Sequence, residues 1–353
     1  MKTRNLPLDE PALGSRRMAD ALGRPLHQLR ISVTDRCNFR CTYCMPKAIF
    51  GANHRFLPRS EVLSFEETER LTRILVDLGV EKVRLTGGEP TLRRDLPQLV
   101  SRLAGIPRLR EINLTTNGSR LTALAAPLHN SGLTRVTVSL DSLNDSTFRA
   151  MNDVDFPVWR VLDGIEAARA AGFANIKVNT VVKREVNNDG ILDIARYFRG
   201  TGVVVRFIEF MDVGASNGWR MRDVVTAEEI LARIDGAFPV EPLGDQYRGQ
   251  VAERFRYRDG AGEIGIIASV TRPFCGDCSR LRLSADGRLY TCLFGAVSHD
   301  LRRLLRGGAS DPDIEQRIRA IWGLRGDRYS ERRREETARA ASGKRAEMSY
   351  IGG

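Results

Sequence analysis

Six short segments of β-type alternation punctuate the first 210 residues: 29–34 (LRISVT), 82–86 (KVRLT), 111–116 (EINLTT), 135–140 (RVTVSL), 175–182 (NIKVNTVV) and 203–210 (VVVRFIEF). Helical signatures lie between them. In the stretch ending at Gly79, Ser64 is followed by Glu67 in the spacing of a capping box. Residues 157–171 place Pro157 in the first turn and stop at Gly172. Alternation of strand and helix predicts an α/β fold with a parallel sheet, closed or partly closed as a barrel.

Successive strand residues point to opposite faces, so parity separates the two sides of the sheet. One parity carries Arg30, Ser32 and Thr34, then Arg84 and Thr86, Asn113 and Thr115, Thr137, Ser139 and Asp141, and Lys177 with Asn179. The other is mostly Leu, Ile and Val. A closed eight-stranded barrel fills its interior with bulky apolar side chains. Polar residues on one parity therefore predict an open, incomplete (βα)6 barrel lined as a binding site, with solvent-facing strand ends as the alternative for single residues.

Beyond about residue 220 the pattern changes. Thr226 and Glu229 open another helix, a DGAG turn separates two short strands within 254–270, and Asp286-Gly287 marks a second hairpin. Residues 300–348 are helical and Arg-rich. The chain thus divides into an N-terminal extension (1–25), a partial barrel (26–220), a C-terminal region (221–348) and a short tail (349–353).

The 353 residues are ordinary in composition, 42% hydrophobic and 28% charged, which excludes a disordered or collagen-like chain. No apolar run approaches the ~18 residues of a membrane span. The N-terminus has no apolar core behind its charges, so a cytoplasmic location is expected. A net charge of +11 points to an anionic partner or to a solvated Arg-rich surface.

Six cysteines fall at 37, 41, 44 and at 275, 278, 292, with none between the two groups. A disulfide framework does not suit a chain of this size without a signal peptide. Cys37, Cys41 and Cys44 are spaced so that one loop wraps a corner of a [4Fe–4S] cube and leaves the fourth iron open. Zinc usually takes four ligands from paired elements, which this spacing lacks. Cys275, Cys278 and Cys292 again supply three thiolates, and His299 reads as a surface residue rather than a fourth ligand. Arg280 and Arg282 follow two apart on one strand face, a pairing suited to phosphate oxygens. With Arg30, Arg84 and Lys177 they make five cations whose convergence needs an anion, which a nucleoside triphosphate would supply. The chain ends in Gly352-Gly353, which could act only through main chain or thinness.

TDRCNFRCTYCMP with VRLTGGEPTLRRDL resembles the radical S-adenosylmethionine enzymes. Adding LTTNG, SLDS, IKVNTVV, FIEFMDVGASNGW, SVTRPFCGDCSRLRLSADGRLYTCLF and MSYIGG, the chain is similar over about 26–300 and its extreme C-terminus to the GTP 3′,8-cyclase family of molybdenum-cofactor biosynthesis. Residues 1–25 and much of 305–345 match no such motif. The resemblance implies two [4Fe–4S] clusters, with S-adenosylmethionine held near Tyr43, Gly88, Ser139 and Met211. It implies GTP on Arg30, Arg84, Thr115, Lys177, Arg280, Leu281 and Arg282, with the guanine on the second cluster. The implied lyase reaction removes hydrogen from ribose C3′ and joins C3′ to guanine C8. Cys37, Cys41, Cys44, Gly352 and Gly353 would be the catalytic set, the Gly-Gly tail reaching into the barrel. A cyclic pyranopterin monophosphate synthase would take the product downstream; the electron donor stays open, as does a homodimer. Two rivals remain: another radical enzyme with an auxiliary cluster, and a basic nucleic-acid-binding iron–sulfur protein. The first usually carries more cysteines, and the second leaves the GGEP turn unexplained.

Overall fold

A computed structural model describes residues 18–333 and 345–352. The six expected strands are present as β1 (Gln28–Ser32), β2 (Lys82–Thr86), β3 (Glu111–Thr116), β4 (Arg135–Ser139), β5 (Ile176–Val182) and β6 (Val204–Glu209). Helices α1 (Phe65–Asp77), α2 (Leu96–Ala104), α3 (Leu121–Asn130), α4 (Asp145–Asn152), α5 (Val158–Ala170) and α6 (Ile191–Phe198) cross between them. The capping box of α1 forms in both directions: Glu67 N donates to Ser64 Oγ at 3.1 Å and Ser64 N donates to the Glu67 carboxylate at 2.8 Å. Pro157 is the N-cap of α5, one position outside its first turn. Thr226 and Glu229 cap α7 (Ala227–Ala237) in the same reciprocal way.

The C-terminal part continues with β7 (Val240–Leu243), β8 (Glu253–Tyr257), β9 (Glu263–Ile267), β10 (Arg280–Leu283), β11 (Arg288–Tyr290), β12 (His299–Asp300), α8 (Leu301–Arg306) and α9 (Asp311–Gly323). A single helical turn, Met348–Ile351, precedes Gly352. Both hairpins form where the turn residues put them. Both join the sheet of the partial barrel. The order is β12-β11-β10-β1-β2-β3-β4-β5-β6-β9-β8-β7, with β10 parallel to β1 and β9 parallel to β6. A six-strand half-barrel would leave β1 and β6 with unpaired main-chain groups along both edges. The two C-terminal hairpins satisfy those edges and widen the parallel sheet, which stays open.

One parity packs the helices. Leu29, Val83, Leu85, Leu114, Val136, Val138, Val178, Phe207 and Leu281 are fully buried against residues such as Leu71, Leu75, Leu99 and Val161. Burying each such side chain contributes about 1.5–3 kcal/mol. At the end of β6, buried Glu209 accepts from the main-chain N–H groups of Ala227, Val270 and Thr271 and from the Thr271 hydroxyl. That carboxylate fastens β6 to α7 and to the turn leading toward the second cysteine triplet. No helix among the described residues is long and apolar enough to cross a membrane.

Candidate active site

The parity facing away from the helices lines a cavity of about 410 Å³. In-register pairing places Arg282, Arg30 and Arg84 side by side on β10, β1 and β2. One residue pair earlier on the same strands, Arg280, Gln28 and Lys82 form a second row, which Glu111 on β3 continues. Arg135, Lys177, Arg206 and Arg254 complete nine cations, against the two carboxylates Glu111 and Glu263. Lys82 and Arg135 pair with Glu111, and Arg254 makes a forked contact with Glu263. The inner cations have less help.

Burial, then repulsion from Arg282 and Arg84, holds the Arg30 guanidinium well below its ordinary pKa. Burial likewise lowers Arg84 to about 10, with Arg135 adding to it, and Arg282 to about 9, with Arg280 adding. Lys177 falls to about 7 through burial and the nearby Arg206 and Arg135. Among the described residues, Arg30 Nε, Arg135 Nε, Arg206 Nε, Thr115 Oγ1 and Asn179 Oδ1 are buried without a hydrogen-bond partner. Buried polar groups are normally satisfied, and unpaired buried cations are costly. A polyanion would supply what this wall lacks.

The chain's own tail enters from the C-terminal side. Tyr350 donates its hydroxyl to Asp286 at 2.5 Å, Ile351 is fully buried, and Arg282 donates to the carbonyl of Gly352. Glu347 ties the tail to the GASN turn, accepting from Ala215 N at 3.1 Å and Ser216 Oγ at 2.8 Å. Gly352 has φ of +76°, and a Cβ there would collide with the Thr86 side chain. Only glycine fits such a conformation in so narrow a place. Gly353 lies outside the described residues.

Cys37, Cys41 and Cys44 follow β1 on a loop braced by Arg40, which donates to the carbonyls of Cys37, Phe39 and Phe50 at 2.7–2.8 Å. Gly88 packs against this loop. Its N–H donates to Thr34 O and that of Glu89 to Arg36 O, each at 2.8 Å, and a Cβ on Gly88 would overlap Arg36 O. The missing side chain thus admits the cluster loop itself. Buried Glu89 locks the turn by accepting from Thr91, Thr116 and Asn117. Burial and Glu89 push the Cys37 thiol up to about 12, and burial raises Cys41 and Cys44 as well. Such thiols need a bound metal to become thiolates.

The second triplet lies between β9 and α8. Burial would raise Cys278, but Arg280 and Arg325 outweigh it and lower the thiol to about 6; burial and Asp327 push Cys292 up to about 12. Among the described residues no three His, Cys, Asp or Glu side chains converge as they would on a single metal ion. A cube takes its thiolates on separate irons, so three cysteines are a donor set that could hold one. Phe39 N and Asn117 Nδ2 point at Cys37 Sγ, at 3.4 and 4.0 Å, as cluster sulfurs are commonly hydrogen-bonded.

The remaining expected residues fall around these features. Tyr43 spends its hydroxyl on Asp141 at 2.6 Å, Ser139 ends β4 opposite Asn179, and Met211 lines the cavity beside Met348. Thr115 stands on the cavity parity with its free hydroxyl. Leu281 is buried in the helix-facing core, so only its main chain is available to a ligand. His299 is half-buried in β12, paired with Leu289. Lys82, Arg135, Arg206 and Tyr247 also line the cavity. Lys82 and Arg135 share the parity of Arg84 and Thr137, a signal in the sequence. Arg206 alternates with Val204 and Ile208, which hid it, and Tyr247 comes from a loop with no pattern.

The Radical SAM superfamily profile matches residues 31–198 and the Molybdenum Cofactor Synthesis C profile matches 203–331. A GTP 3′,8-cyclase of Acidothermus cellulolyticus is 53% identical over 356 residues, covering 95% of this chain and 98% of that protein. The chain belongs to the GTP 3′,8-cyclase family. Further members from Xanthomonas axonopodis and Staphylococcus saprophyticus are 49% and 44% identical, each over 95% of this chain and 99% of their own length. Among solved structures, Streptococcus suis SuiB bound to S-adenosylmethionine superposes with a TM-score of 0.58 at 16% identity, over 84% of this chain and 68% of that one, a likeness of fold.

The packing of the GGEP turn on the cluster loop yields a prediction for this family member. Gly88→Ala should displace residues 34–36 and lower iron bound at the first triplet severalfold, with the second triplet still loaded. Unchanged iron at the first site would show that the turn tolerates a side chain.

Proposed function

We propose that the chain converts GTP to its 3′,8-cyclised dihydro product by holding the triphosphate on the strand cations while the base lies toward the second triplet. The observation that carries this reading is the row Arg282, Arg30, Arg84: three desolvated guanidiniums side by side, with Arg30 Nε left without an acceptor. Guanidinium forks match phosphate oxygens bidentately, and a triphosphate brings enough charge to relieve the repulsion. Cys37, Cys41 and Cys44 would hold the first [4Fe–4S] cluster, and Cys275, Cys278 and Cys292 the second. When bound, the first cluster with S-adenosylmethionine supplies the one-electron chemistry that makes a hydrogen-abstracting radical. The chain's own residues bind and orient. Arg30, Arg84, Lys177, Arg280 and Arg282 would fix the phosphates, with Thr115 offering its free hydroxyl. Tyr43, Gly88, Ser139 and Met211 would border S-adenosylmethionine at the strand ends. The tail through Gly352, with Gly353 beyond it, would restrict the space around the ribose. Forming one bond between two fixed atoms of a single substrate makes positioning the main lever.

The direct test is anaerobic reconstitution of both triplets, then incubation with GTP, S-adenosylmethionine and a strong reductant. Formation of 5′-deoxyadenosine together with cyclised GTP is expected; S-adenosylmethionine cleavage with no cyclised product overturns the reading. In the same preparation, Arg282→Ala should weaken GTP by ~10- to 150-fold, the effect of about 1.5–3 kcal/mol. Guanosine should be little affected, and equal loss for both ligands would make Arg282 structural.

Lys177 adds a pH dependence. Its pKa of about 7 in the free cavity must rise when a polyanion binds beside it, so binding takes up a proton. Affinity for GTP should therefore fall as pH rises through 7, on the order of tenfold between pH 7 and 8.5. Calorimetry in buffers of different ionisation enthalpy would read the proton uptake, and Lys177→Met should abolish it. A flat profile would show that Lys177 is already charged.

A further inference from the structure

The loop of the second triplet is gripped from outside by two buried guanidiniums that come from distant parts of the chain. Arg24 is fully buried and donates from Nη1 to Cys275 O at 2.9 Å and to Asp327 O at 2.7 Å. Arg325 donates from Nη1 to Cys278 O at 2.7 Å and from Nε to Thr291 O, next to Cys292, at 3.0 Å. The main chain at or beside every cysteine of the triplet is therefore held. Between the two arginines lies Asp20. Its Oδ2 accepts from Arg24 Nε at 2.6 Å and Arg325 Nη1 at 3.1 Å, and its Oδ1 accepts from the N–H groups of Leu22 and Arg24 at 2.9 Å. The Trp322 ring lies 4.5 Å from the Arg325 guanidinium.

This trio is out of balance. Within the trio two cations, with side-chain exposure of at most 1%, share one saturated carboxylate; a further carboxylate, Asp327, is about a third exposed and lies 3.4 Å from Arg325 Nε. Arg24 Nη2 is also buried without a hydrogen-bond partner among the described residues. A buried ion group with a surplus charge is costly unless something nearby compensates it. Three thiolates on a four-iron core leave an anionic assembly, more so when reduced, and nearby charge and hydrogen bonds set its potential. Asp327, partly exposed to solvent, would offset the surplus in part, and the anionic assembly would offset the rest.

We infer that Asp20, Arg24 and Arg325 are positioning residues for the second iron–sulfur cluster. They hold its ligand loop in register and supply the buried positive charge that favours its reduced form. The inference rests on reading Cys275, Cys278 and Cys292 as cluster ligands. It also gives residues 18–25 a structural role, because the short bridge Ala19–Pro25 presents Asp20 and Arg24 to a loop some 250 positions away.

The test uses the full-length chain, reconstituted anaerobically, with iron content and an electron paramagnetic resonance redox titration as readouts. Arg325→Gln should lose at least half of the second cluster's iron. In whatever loads, the reduced-to-oxidised ratio at a fixed potential should fall about tenfold, a shift of 59 mV for one electron. Asp20→Asn removes the negative member and should shift the potential of the second cluster in the opposite direction. Arg325→Lys keeps the charge and should restore the potential. The first cluster's signal and melting temperature report that each variant folds. Opposite shifts are not expected of a merely structural ion group. Full loading with unshifted potentials in both Arg325→Gln and Asp20→Asn would overturn the inference. Wild-type chain holding iron for one cluster, unchanged by replacing Cys275, Cys278 and Cys292 with Ala, would instead overturn the reading of the second site.

Discussion

The arginine row on β10, β1 and β2 is the constraint around which the rest of the molecule is arranged. Unit charges as close as the strand spacing of ~4.8 Å would repel by roughly 3 kcal/mol per neighbouring pair at an effective dielectric of ~20. That exceeds what an exposed ion pair returns, about 0.2–1 kcal/mol. Register and burial keep the row in place because the opposite parity of the same strands is locked into the helix-facing core. Turning one strand face inward would expose Leu29, Val83 and Leu281 together. The apolar side of the sheet thus fixes the polar side, and the polar side is left needing an anion.

Several features read as partial relief of that repulsion. Glu111 and Glu263 occupy the rim and engage Lys82, Arg135 and Arg254 rather than the inner row. The Gly352 carbonyl reaches Arg282 from the tail, a neutral acceptor in place of a carboxylate. Arg30, in the middle of the row, keeps an unspent donor. An open sheet serves the same purpose, since a closed barrel would fill its interior with side chains.

Both cysteine loops are positioned through main chain rather than through their thiols. The first is clamped by Arg40 and by the glycine turn at the end of β2, the second by Arg24 and Arg325. Holding a loop by its carbonyls leaves the sulfurs free for metal. It also couples the first loop to β1 and β2 and the second to β10, three neighbouring strands of one sheet.

The strands, the capped helices, the two cysteine loops and the cationic parity were legible in the chain itself, because each depends on residues within a few positions of one another. Alternation at period two reports a face, a capping box reports a helix start, and close cysteine spacing reports a ligand loop. The same locality explains what stayed hidden. The pairing of β10 with β1 and β9 with β6 joins segments far apart in the chain, and it alone brings Arg280 and Arg282 beside Arg30 and Arg84. Arg206 was masked by apolar neighbours of its own parity, which line the cavity too. Asp20, Arg24 and Arg325 carry no motif because they act on one another and on carbonyl oxygens, which every residue possesses. Sequence determined which chemistry this protein could perform; tertiary structure decided where the charges meet, since strand pairing and buried ion groups are set by contacts between residues that local pattern cannot connect.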